Sequence, residues 1–158
     1  MRMGAHKRPA RLSKAKAASA LTLAAVGVTV LTPGGTTKAE AASVSVRALQ
    51  IAASKQGSPY QWGATGPYRF DCSGLTLYSF KRAGKQLPRT AAAQYNRTRH
   101  IPRSAREEGD LVFFHSGRGV YHVGIYAGGD KMWHAPKTGS VVRLERIWTT
   151  SVWYGRVT

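Results

Sequence analysis

Apolar and polar positions first follow a helical spacing along this chain. Between Val44 and Gln56, Leu49, Ala52 and Ala53 share one face, while Arg47, Gln50 and Lys55 lie off it. That spacing predicts an amphipathic helix, ended by Gly57, Ser58 and Pro59. From Ser73 to Ala83, Leu75, Leu77, Tyr78 and Phe80 are too many for a narrow stripe. A second helix is therefore predicted there, buried over most of its surface. Asp71 stands at its N-cap and Gly84 at its C-terminal stop. Thr90, followed by three alanines, begins a short third helix reaching about Asn96. Residues 57–69 are rich in Gly, Pro and aromatics and read as an ordered loop.

After Gly109 the period changes. Leu111 to Phe114 is an apolar run of strand length, and Tyr121 to Ala127 alternates weakly. Gly128-Gly129-Asp130 makes a turn into a third strand, Met132 to Ala135. Val141 to Leu144 and Val152 to Val157 complete five strands. Helices first and strands after them predict an α+β fold, with N-terminal helices packed on a small antiparallel sheet.

The first forty or so residues do not belong to that pattern. Arg2, Lys7, Arg8, Arg11, Lys14 and Lys16 form a basic start, and Ala17 to Leu31 is apolar or small. Those 15 residues match a signal-peptide core and are short for a membrane span. Pro33, Gly34 and Gly35 break the segment, and Ala39-Glu40-Ala41 offers an A-x-A cleavage site. The expected organisation is a cleavable secretory leader over residues 1–41 and one domain over residues 42–158. The product would be secreted, extracellular or wall-associated, with no stable membrane anchor after cleavage. An uncleaved amphipathic anchor is the alternative. Lys7-Arg8 falls short of a twin-arginine pair, which favours general secretion.

Residues 42–158 carry 17 Lys and Arg against 6 Asp and Glu, a net of +11. A surplus of that size attracts polyanions. No zinc-finger spacing or basic heptad accompanies it, so nucleic acid is not the expected partner. Anionic wall polymers fit an exported basic surface; a plain solvated surface explains the charge equally well.

The only cysteine, Cys72, lies in "FDCSGL". One cysteine forms no disulfide within the chain, and an idle thiol outside a cell is open to oxidation. Cys72 falls in the first turn of the second helix, where unpaired N–H groups and an imidazole would lower its pKa. The same N–H groups suit an oxyanion, and Gly74 permits close approach of a substrate or strand. A buried, inert thiol is the plainer reading. His122 and His134 flank the Gly128-Gly129 turn on adjacent strands. Counting outward from that turn sets them about opposite each other, a base and its orienter. Satisfied core histidines or a metal pair would also fit. No third ligand stands at a metal-binding spacing, so neither metal nor cofactor is expected. His100 and His115 receive no role.

The segments "SPYQWGATGP", "DCSGL", "LPRTAAAQY", "GDLVFF" and "HVGIYAGGDKMWHAP" occur in the order seen in NlpC/P60 peptidases. The chain resembles that family from about Val44 to its C-terminus. The resemblance implies a papain-like fold in circularly rearranged order and a Cys-His-His triad. It implies Cys72 as nucleophile, His122 as base and His134 as the orienting member. It further implies that the Tyr60 hydroxyl lies near the nucleophile, and that Asp71 and Ser73 line the substrate groove. The implied substrate is the peptidoglycan stem peptide, cut between γ-D-glutamate and diaminopimelate or lysine. Ala64 departs from the family, which commonly has a second glycine there. No separate wall-binding module or coiled-coil segment is visible, so attachment would rest on the basic surface. An amidase or transacylase with the same triad, or a non-catalytic basic wall-binding protein, are the competing readings.

Overall fold

The computed structural model describes residues 37–158, so most of the expected leader lies outside the described residues. Helix α1 spans Lys38–Ala53, beginning six residues earlier than its apolar spacing suggests. The cause is local. Thr37 accepts a hydrogen bond from the Glu40 N–H at 3.2 Å, the N-cap half of a Thr-x-x-Glu capping box. The expected cleavage motif therefore lies inside the first turn, with Ala41 buried. Helix α2 is Cys72–Ala83, with Asp71 as N-cap and Gly84 in the left-handed conformation as its stop. Helix α3 is Ala91–Arg97, capped by Thr90.

Six strands follow: β1 Arg99–Ile101, β2 Leu111–Ser116, β3 Gly119–Tyr126, β4 Lys131–His134, β5 Arg143–Arg146 and β6 Val152–Arg156. They form one antiparallel sheet in the order β1-β6-β2-β3-β4-β5. The α+β class is as expected. The C-terminal strand returns to lie beside β2, and β1 closes the far edge. β1 was not expected: its Arg-His-Ile has no alternation and is mostly exposed. The fourth expected strand begins two residues later than its apolar run, at Arg143.

Both faces of the sheet are covered. Leu111, Phe113, Val123 and Ile125 meet Ala48, Ala52, Leu75 and Phe80 of α1 and α2. On the reverse face Val112, Phe114, Tyr126, Met132 and Tyr154 form a second cluster, joined by Ile101 and Ile147. This explains why β2 reads as a continuous apolar run, since a strand dry on both faces has no polar side. Each such Phe or Leu contributes roughly 1.5–3 kcal/mol relative to exposure. His100, Tyr95, Trp153 and His115 stack in sequence, with centroids 3.9, 4.9 and 3.7 Å apart. The two histidines without a chemical role are thus ring-packing residues.

A buried ion pair ties the last strand to the start of β2. Arg156 donates from Nε and Nη2 to the two carboxylate oxygens of Asp110, at 2.8 and 2.7 Å. Asp110 is 1% exposed. Removing one partner of such a pair strands the other charge in a dry site. Arg156 also pairs with Glu107 at 3.2 Å, so the stranded charge arises when the arginine is removed. Arg156→Ala is expected to lower stability by about 3–5 kcal/mol, read as a fall in the urea midpoint; an unmoved midpoint would refute this.

Candidate active site

The site is built on the buried start of α2. The Asp71 carboxylate accepts from the Gly74 N–H at 2.7 Å and from the Gly63 N–H at 2.9 Å. The first bond caps the helix, and the second draws the 61–64 loop against it. Gly74 is needed for this contact: a Cβ there would lie 2.0 Å from the Ala64 carbonyl oxygen. The close approach expected at Gly74 is therefore made by the chain's own loop. Arg89 completes the shell, binding both Asp71 oxygens and the Ser73 hydroxyl. Its loop is held by Gln94, fully buried, whose amide donates to Ser73 O at 3.0 Å and Pro88 O at 2.9 Å.

Cys72 is half-buried in this turn. It lines a cavity of about 400 Å³ with Tyr60, Trp62, Asp71, Ser73 and Arg89. Tyr60, Asp71 and Ser73 thus line the same cavity as Cys72, although Asp71 is spent on Gly63, Gly74 and Arg89. Burial raises the Tyr60 pKa, as do the nearby Cys72 and Asp71. The thiol corrects one expectation. Burial pushes its pKa up, and the Asp71 charge adds to this. The N–H groups of Val123 and Ser73 pull the other way but do not win. The resting sulfur is therefore a thiol.

Val123 follows His122 on β3, so this strand passes the sulfur at the first imidazole. The observed pairing of Ile125 with Trp133 corrects a second expectation. His134 lies across from Gly124, one same-face step from His122, so the two histidines are diagonal neighbours. Gly124 leaves the room this needs, because a Cβ there would come within 3.3 Å of His134 Cβ. The rings meet all the same, with His122 Nε2 2.9 Å from His134 Nδ1. His134 Nε2 lies 2.9 Å from Glu145 Oε2, which also accepts from Arg143 Nε at 2.8 Å. Among the described residues, no hydrogen bond joins Cys72 to either ring. A second cavity, of about 340 Å³, opens on the imidazole side and includes Lys137, Arg143, Glu145 and Trp148. Tyr121 borders both cavities.

Arg89, Glu145 and Trp148 escaped the sequence reading. Arg89 stood inside "LPRTAAAQY", directly before a helix cap, yet nothing local tied it to Asp71. Glu145 carried no signal beyond being one of few acidic residues.

The sequence profile of the NlpC/P60 family matches residues 57–158. The chain belongs to the NlpC/P60 family. Its α+β papain-like arrangement is that of solved P60 domains. It is 52% identical over 83 residues to the probable endopeptidase p60 of Listeria monocytogenes, covering 52% of this chain and 17% of that protein. It is 40% identical over 99 residues to the gamma-D-glutamyl-L-lysine dipeptidyl-peptidase of Bacillus subtilis, covering 61% of this chain and 33% of the relative. The solved peptidoglycan hydrolase RipB of Mycobacterium tuberculosis superposes with a TM-score of 0.68 at 29% identity, covering 77% of this chain and 68% of the solved one. The chain thus spans under a fifth of the Listeria protein and about a third of the Bacillus one.

Burial lowers the pKa of both imidazoles. His122 is pushed down to about 3, with His134 adding to the effect and Glu145 opposing it. In the unfolded chain a histidine titrates near ~6.5. Between those values the unfolded state binds a proton that the folded state refuses, so stability falls as pH drops through that window. At pH ~4.5 the loss from His122 is on the order of 2 kcal/mol relative to neutral pH. Urea midpoints across pH 7 to 4.5 should show the decline, and His122→Gln should reduce its slope, leaving the share that comes from His134. An unchanged slope in that variant would assign the effect elsewhere.

Proposed function

We propose that this chain is a peptidoglycan hydrolase, a cysteine endopeptidase cutting the stem peptide between γ-D-glutamate and the following diamino acid. The observation that carries this reading is the hydrogen-bonded line His122–His134–Glu145, which begins on the strand whose Val123 N–H reaches the Cys72 sulfur. The relatives' names support the bond class: endopeptidase p60, peptidoglycan hydrolase and gamma-D-glutamyl-L-lysine dipeptidyl-peptidase.

The proton positions follow from the partners. Its bonds to Arg143 hold the Glu145 carboxyl below its ordinary pKa, so it accepts only. His134 Nε2 must then carry the hydrogen, and the Nδ1 of that neutral ring is a lone pair. His122 Nε2–H donates to it, leaving His122 Nδ1 as the free base. This nitrogen takes the thiol proton as the sulfur attacks the amide carbonyl. The Cys72 N–H and the Tyr60 hydroxyl, kept protonated by its raised pKa, face the developing oxyanion. His122 passes the proton to the leaving amine, and a thioester remains. Water, deprotonated by the same nitrogen, cleaves the thioester and restores the thiol.

Export belongs to the same proposal, supported by the basic start and the apolar run from Ala17 to Leu31. Cleavage after Ala41 would remove the Thr37 cap and first turn of α1. The basic surface suits anionic wall polymers. An amidase or transacylase would use the same groups, and a wall-binding protein would use none of them.

Mass spectrometry of muropeptides digested by the purified protein separates these readings. Release of L-Ala-D-Glu, free or still on its disaccharide, is expected, and Cys72→Ala should abolish it while binding to sacculi persists. A bare glycan product would favour the amidase; lysis surviving in Cys72→Ala would remove the catalytic reading. Glu145→Ala should lower kcat ten- to a hundredfold, part of the roughly 10²–10⁴ that a general base supplies. A kcat equal to wild type would mean that the carboxylate does not set the tautomer.

A further inference from the structure

The cavity on the imidazole side has no assigned occupant. Attack at Cys72 divides the substrate into two parts. The acyl part stays on the sulfur, and the departing amine must lie against the imidazole that protonates it. The peptide beyond the cut bond therefore runs from Cys72 past His122. The cavity of about 340 Å³ lies in that direction, with Tyr121 between it and the sulfur's own cavity. Its volume falls within the range of small-ligand sites, roughly 300–1,000 Å³.

The charges in this cavity are selective. Lys137 and Arg143 supply two cations and Glu145 one carboxylate. Glu145 Oε2 is already taken by His134 and Arg143. Among the described residues Lys137 has no ion pair. Its backbone is fixed nonetheless. The Lys137 N–H donates to Ser140 Oγ and the Ser140 N–H to Lys137 O, each at 3.1 Å. Ser140 O in turn accepts from the Tyr60 N–H at 2.9 Å. The ammonium thus extends from a closed turn tied to the groove loop.

We infer that this cavity receives the leaving diamino acid and that Lys137 recognises a carboxylate at the end of its side chain. Diaminopimelate ends in both an ammonium and a carboxylate, whereas lysine ends in an ammonium alone. The unshared oxygen of Glu145 can serve the ammonium of either. Only diaminopimelate offers an anion to Lys137, and a bare ammonium meets two like charges. The stem peptide preferred here is therefore the diaminopimelate form, a specificity that rests on the peptidase reading above.

The test compares kcat/KM for three tripeptides of sequence L-Ala-γ-D-Glu-X. X is meso-diaminopimelate, its side-chain amide, or L-lysine. The free diaminopimelate form should lead the other two by about fivefold or more, the scale of one partly exposed ion pair. Lys137→Ala should bring the three within about twofold of one another. Equal rates in wild type, or faster cleavage of the lysine form, would overturn the inference and leave the peptidase standing. A preference undiminished in Lys137→Ala would also overturn it. Failure to cleave any of the three would remove the peptidase reading, and this inference with it.

Discussion

The carboxylate of Asp71 governs the geometry around the sulfur. It caps α2 through Gly74, draws the 61–64 loop in through Gly63 and anchors Arg89. These contacts decide where Cys72 stands, because a helix start is located by its cap. The same carboxylate opposes ionisation of the neighbouring thiol. Arg89 answers that cost by placing a guanidinium against it. Asp71 thus acts as a frame for the site, with its lone pairs spent before any substrate arrives. Ser73, Arg89, Tyr60 and Trp62 stand at the edge of this frame and line the cavity beside the sulfur.

Two effects compete at the sulfur. A helix N-terminus favours the thiolate, and the N–H groups of Val123 and Ser73 act in the same sense. Burial acts against it and is the larger effect. The imidazoles are governed by the same rule, since dryness keeps them neutral. At rest the sulfur and both imidazoles are therefore uncharged. In the proposed reaction, charge separates only when a carbonyl lies over the sulfur and the new oxyanion has donors to meet it. A neutral resting pair also keeps the thiol less open to oxidation, because oxidants attack the thiolate.

What the sequence made legible was what local chemistry decides. Asp71, Cys72 and Gly84 mark the ends of α2 because capping and left-handed stops depend on residues within one turn. The histidines lie together because a two-glycine turn fixes which strands are neighbours. Their diagonal offset was not legible, since it depends on where pairing resumes after the turn, at Tyr126 and Met132. β1 exists only because β6 returns to it, a contact spanning more than fifty residues that leaves no trace in Arg-His-Ile. Arg89 and Glu145 were missed for the same reason: an ion pair across the fold has no spacing rule. The start of α1 shows a different difficulty. Thr37 to Ala41 satisfies both a capping box and an A-x-A cleavage motif, and each reading is locally sound. The helix is the conformation these residues adopt with the following chain attached.

Burial changes in a definite direction along the line from His122 to Glu145, and this bears on the roles proposed for them. His134 is fully buried and His122 nearly so, at 0% and 6% exposure, while the Glu145 side chain at the sheet edge is 37% exposed. Water near Glu145 makes a fixed negative charge inexpensive there, and Arg143 secures it. In the dry interior a carboxylate charge without such a partner would be lost by protonation. Its field still reaches His122, where it opposes the lowering of the pKa. The edge position of β5 is thus part of the proposed mechanism. A permanent charge is kept where solvent supports it, and its influence passes inward through two neutral rings to the nitrogen proposed to accept the thiol proton.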